Sequence, residues 1–109
     1  MNLPSPDCQL LLAFPAALEE MLSDCLLSSG VPLADLYLLP AATPAGLAPP
    51  LTAMERVRGK TERRLALLLL CQEQTPALLA ALERAFPAGG IRWWSTPLLA
   101  NGELRGTRP

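Results

Sequence analysis

The chain contains no histidine. That removes the commonest metal ligand and the usual general base together. No Ser/His/Asp set, Cys/His pair or P-loop can be assembled from the residues present, so the chain is expected not to be an enzyme and to need no cofactor. Charge is also scarce: 17% of 109 residues are charged and the formal net charge is −1. There is thus no overall pull toward nucleic acid or anionic lipid, and any basic surface must be local. No apolar run approaches the roughly 20 residues of a spanning helix. "MNLPSPDCQLLLAFP" carries an acid at Asp7 and no basic flank, which argues against a signal peptide and makes the cytoplasm the expected location. The three cysteines, Cys8, Cys25 and Cys71, are an odd count, which suits a reducing compartment better than a disulfide framework.

What is present is a single apolar domain spanning 1–109, half of it hydrophobic. "CQLLLAF" reads as a strand. Pro15 stands where a helix starts, and "AALEEMLSDCLLSSG" puts Leu18, Met21, Leu22, Cys25 and Leu26 on one face, with Gly30 as its C-terminal cap. Glu19, Glu20 and Asp24 on this helix form a solvated face. "PLADLYLLP" is a second strand closed by Pro40. "AATPAGLAPPLTA" then opens a long loop, about 40–60, of a length that is usually functional in a compact domain. "RRLALLLLC" is a third strand. Thr75 and Pro76 open a second helix as N-cap and first position, with Leu78, Leu79, Leu82 and Phe86 on one face. "PAGG" turns the chain into "IRWWSTPLL", and a polar tail of about 100–109 follows, with a possible hairpin at Asn101-Gly102.

The order β-α-β-β-α-β is that of an α+β ferredoxin-like sandwich: a four-stranded antiparallel sheet, first and third strands central, two helices on one face. The third strand is apolar on both sides, with Leu65, Leu67 and Leu69 facing one way and Ala66, Leu68 and Leu70 the other. Two helices cover only one face, and the other would be a large apolar patch. Two covers are open: another copy in a closed oligomer, or a folded-back loop or tail. Leu68, Leu70, Trp93 and Trp94 are the interface candidates.

The pieces "CQLLLAFPAALEEMLSDCLL", "MERVRGKTERR", "PALLAALERAFP" and "WWSTPLLANGEL", in this order from Cys8 to about Leu104, resemble the PII-like superfamily, which includes the PII nitrogen-signalling proteins and CutA. They are most similar to a small uncharacterised PII-like branch often encoded beside heavy-metal efflux pumps of the RND type. The resemblance implies a homotrimer with its sheets facing the centre, a T-loop after the second strand, and a regulatory role linked to metal homeostasis through a protein partner such as an efflux pump or its regulator. The chain departs from nucleotide-binding PII proteins in two places. "PAGG" stands where they carry a glycine-rich loop of the kind "TGxxGDGK", and the loop lacks a tyrosine for uridylylation, since Tyr37 lies in a strand.

Three site readings follow. Five of nine basic residues crowd into "ERVRGKTERR". Arg56, Arg58, Lys60, Arg63 and Arg64, with Gly59 allowing close backbone approach, suit a small anion, a nucleotide or an acidic partner. The resemblance puts them near a cleft between subunits. The alternative is a solvated junction, paired with Glu55 and Glu62, that keeps an apolar strand from aggregating. Antiparallel pairing of the first and third strands brings Cys8 and Cys71 to one end of the sheet, where two thiols could share Cu(I) or Zn. Cys25 reads as a small core residue. Trp93 and Trp94 point to opposite faces, one to the core and one to a subunit contact, with base stacking the lesser alternative.

Overall fold

The computed structural model describes residues 5–44 and 60–106. Its centre is a pair of antiparallel strands, β1 (Cys8–Pro15) and β3 (Lys60–Leu70). In β1 the side chains of Cys8, Leu10, Leu12 and Phe14 are buried, and those of Gln9, Leu11 and Ala13 are half-buried. The ladder sets Leu10 opposite Leu68, Leu12 opposite Ala66 and Cys8 opposite Leu70. Cross-strand partners share a face, so the buried residues of both strands line one side of the sheet. β2 (Asp35–Pro44) pairs with β3, and β4 (Arg92–Pro97) pairs with β1, giving the all-antiparallel order β2-β3-β1-β4.

Both helices, α1 (Glu19–Ser28) and α2 (Thr75–Ala85), lie on the buried side. Leu22 and Leu26 from α1, and Leu78, Leu82 and the following Phe86, join the strand residues in one core cluster. Met21, expected on the same stripe, sits on its rim and is 53% exposed. Pro15 ends the extended chain, a short 3₁₀ turn at Ala16–Leu18 intervenes, and α1 begins with Glu19 and Glu20 in its first turn, where the helix dipole favours acids. At its exit the Ser28 hydroxyl donates to the Asp24 carbonyl at 2.7 Å, and the Ser29 hydroxyl donates to Leu26 at 3.0 Å while accepting from the Val31 amide. Gly30, at φ +82°, then reverses the chain.

Several boundaries depart from the sequence expectation. Pro40 does not close β2. The strand runs on to Pro44, opposite Lys60, and β3 starts at Lys60 rather than Arg63. Proline cannot donate to a ladder and is confined to edge strands, and β2 is one, so its prolines cost little pairing. The expected 40–60 loop is thus shortened from both sides by a two-stranded ribbon, and 45–59 lie outside the described residues. Thr75 is not an N-cap. It is the first residue of α2, after a 3₁₀ turn at Gln72–Gln74, and its hydroxyl turns inward to within 3.9 Å of the Cys8 sulfur. The cap of that turn comes from far away in sequence: Asp7 Oδ1 accepts the Gln72 amide at 2.7 Å. Beyond β4, residues 98–106 form no hairpin. They are anchored where the Leu98 amide donates to the Asp7 carbonyl and the Asn101 side-chain amide donates to that of Pro6, each at 3.0 Å. No helix among the described residues is long and apolar enough to cross a membrane.

Two substitutions test this framework. Leu68 is fully buried at the centre of the core, so Leu68→Ala is expected to lower unfolding free energy by about 2–5 kcal/mol in urea titrations. At Gly30 an added Cβ would meet nothing within 4 Å, so Gly30→Ala isolates the backbone penalty of a positive φ. It is expected to cost about 1–2 kcal/mol in the same titration.

Candidate functional site

A polar junction lies at the end of the sheet where β1 stops and β3 leaves the ribbon. Arg63 and Arg64 are adjacent on β3 and therefore point to opposite faces. Arg64, opposite Phe14, is on the helix side; its Nε lies 3.3 Å from Glu19 Oε1 in the first turn of α1. Both side chains are partly exposed, so this pair contributes about 0–1 kcal/mol and could be exchanged for another anion at small cost. Arg63 is on the outward side. Its Nη2 donates to the Ala13 carbonyl at 3.1 Å and to the Gly90 carbonyl at 3.4 Å. One guanidinium thereby holds together the end of β1 and the turn between α2 and β4. That turn needs its glycines, because Gly89 and Gly90 have φ of +77° and +91°.

Of the basic cluster expected from the sequence, Arg63 and Arg64 are brought to this junction. Lys60 is at the far end of the ribbon, its backbone about 13 Å along the strand from Arg64, because an extended chain advances about 3.3 Å per residue. Arg56, Arg58 and Gly59 lie outside the described residues. One basic residue was missed. Arg92 opens β4 opposite Ala13 and is exposed on the same outward side as Arg63. Counting strand parity back from the two tryptophans would have found it.

The cysteines lie at the opposite end of the sheet. Cys8 pairs with Leu70, so the expected proximity to Cys71 holds along the backbone. The two thiols, however, make different contacts. Cys8 is buried under the helices against Thr75, while Cys71 leaves the strand and donates to the Ser5 carbonyl at 3.6 Å. Among the described residues no group of three or more Cys, Asp or Glu could hold a metal ion. Cys25 packs between the helices near the Ala81 carbonyl. Burial pushes its thiol up, against the opposing pull of Arg84.

The interface candidates also require correction. Leu68 and Leu70 are 0% and 1% exposed beneath the helices and cannot meet another subunit. The strand parity was right, but the wrong half of it was assigned outward. The uncovered face is built from Leu11, Leu65, Leu67 and Leu69, flanked by Tyr37 and Leu39 on β2 and Trp94 on β4. Among the described residues nothing lies over it. Trp93, opposite Leu12, is on the helix side, but half of it remains exposed.

With this geometry, the chain compares closely with known folds. It superposes on a DUF3240 family protein from Shewanella baltica with a TM-score of 0.72 at 20% identity, covering 94% of this chain and 100% of that one. CPII, a nitrogen regulatory PII-like protein from Thiomonas intermedia bound to ADP, AMP and bicarbonate, gives a TM-score of 0.65 at 14% identity, covering 91% and 97%. The same protein bound to ADP, AMP and acetate gives 0.63 at 13% identity, covering 86% and 87%. The sheet and helices are therefore those of the ferredoxin-like PII-like fold. No curated protein matches the chain in sequence. Residues 4–105 match the family described as "Protein of unknown function (DUF3240)", and the chain belongs to that family.

Proposed function

We propose that the chain is a non-enzymatic PII-like binding and regulatory protein that assembles through its outward sheet face into a homotrimer and acts in the cytoplasm by contacting a protein partner. The observation that carries this reading is the uncovered apolar face of Leu11, Leu65, Leu67 and Leu69. A face of that kind asks for a flat, apolar, self-complementary cover, and a cyclic assembly of identical chains supplies one. The ribbon formed by β2 and β3 projects beyond the sheet and carries the segment 45–59 with its basic residues, the natural element for partner contact. The sequence resemblance makes a heavy-metal efflux pump or its regulator the partner class.

A second reading, that a small anion or nucleotide binds at the loop base, is favoured by the Arg63 tie to Gly90. It brings the ribbon base and the glycine turn together, with Arg64 held by an exchangeable surface pair. CPII, of similar fold, is bound to ADP and AMP. The turn here is short, so the ligand would be gripped by guanidinium groups more than by a backbone cradle.

Light scattering is expected to give three times the 11.7 kDa chain mass at micromolar concentration, and Leu67→Glu, at a half-buried outward position, is expected to leave a folded monomer. A monomeric wild type rejects the assembly. Thermal unfolding with ADP, AMP and ATP separates the second reading. A ligand at 100 times its Kd stabilises by about 2.7 kcal/mol, a shift of several degrees, and Arg64→Ala should abolish it. Absence of any shift at millimolar nucleotide rejects this reading and leaves the first standing.

A further inference from the structure

β4 is an edge strand whose six residues are all exposed, including Trp93 and Trp94 on opposite faces. After it the chain runs without regular structure through residues 98–106, fixed among the described residues by the Leu98 and Asn101 bonds near its root. Beyond them Leu99 is 98% exposed and Leu104 is 99% exposed. A single exposed leucine is ordinary. Two on one short extended segment, beside a groove of matching character, call for a partner. The groove, a cavity of about 230 Å³ between α2 and β4, is walled by Leu79, Leu82, Phe86, Ile91 and Trp93, and Glu83 is its single charged residue.

We propose that residues 98–106 of one copy dock along β4 of a second copy, adding a strand to its open edge and seating Leu104 in the groove beside Trp93. Three observations converge on this occupant. The outer edge of β4 has no ladder partner among the described residues, and an extended segment can supply one. Leu99 to Leu104 matches the six-residue length of β4. Their odd separation places the two leucines on opposite faces of a strand, one toward the groove and one toward the side of Trp94. The segment does not serve its own groove. Its root is held at the Pro97 end of β4 by Asp7 and Pro6, whereas the groove opens at the Gly89 and Ile91 end, and the Leu98 amide a tight reversal would need is already committed to Asp7. This contact is separate from the outward sheet face and stands or falls independently of it.

The test places a photo-crosslinking amino acid at position 104 of the full chain and irradiates an equal mixture of ¹⁵N-labelled and unlabelled protein. Because Leu104 is almost wholly exposed, the replacement leaves the fold intact. Cross-links from position 104 to the segment 79–93 are expected, including pairs joining a labelled to an unlabelled chain. Trp93→Ala, at a half-exposed wall of the groove, should reduce their yield about fivefold. Cross-links confined within single chains, cross-links elsewhere on the molecule, or a yield indifferent to Trp93→Ala would each overturn the proposal.

Discussion

A four-stranded sheet has two faces, and this chain has two helices. Everything else in the structure depends on how that mismatch is handled. β1 and β3 are apolar at consecutive positions, so strand parity gives each of them a buried row and a second apolar row. The buried row, from Cys8 to Phe14 and Ala66 to Leu70, makes the core with α1 and α2. The second row, with Leu11 and Leu67 at its centre, gains nothing from the helices and is useful only if something else removes it from water. A monomer would carry that cost without return.

The same geometry explains why the polar chemistry is concentrated at the sheet ends. With both faces committed to apolar contact, charges are left the ends of β1 and β3, and the two ends are used differently. At one, Asp7 caps the turn before α2 and anchors the chain leaving β4, so a single loop residue organises three segments. At the other, Arg63 binds carbonyls of β1 and of the glycine turn, and Arg64 pairs with α1. The first is a structural clasp. The second faces the ribbon and leaves exposed cationic surface, which is where ligand or partner specificity can be built.

Much of this was legible in the residues, because hydrophobic period and breaker residues act locally. The strand order, the antiparallel centre, Gly30 as helix terminator and the partition of "LALLLL" into two rows follow from spacing alone. What was not legible is tertiary. Which row of β3 lies beneath the helices depends on where the helices dock, so Leu68 and Leu70 were assigned to the interface when they are core. Pro40 looked like a strand terminator because its lost donor matters in a central strand and little at an edge. Thr75 looked like a cap, but it is the first residue of α2, and the turn before it is capped by Asp7, distant in sequence but adjacent at the same end of the sheet. At the candidate site, the arginine cluster was visible in composition, but its division was not. An extended ribbon separates Lys60 from Arg63 and Arg64, and Arg92 joins them only through the β1–β4 register.

The central claim is that the outward face of Leu65, Leu67 and Leu69 is covered by another copy of the chain. Hydroxyl-radical footprinting across a dilution series reads those side chains directly. The account predicts strong protection of Leu65, Leu67, Leu69 and Trp94 at high concentration, lost together as the protein is diluted, while Leu68 stays protected throughout. Oxidation of the outward leucines at the same high rate at every concentration would contradict it.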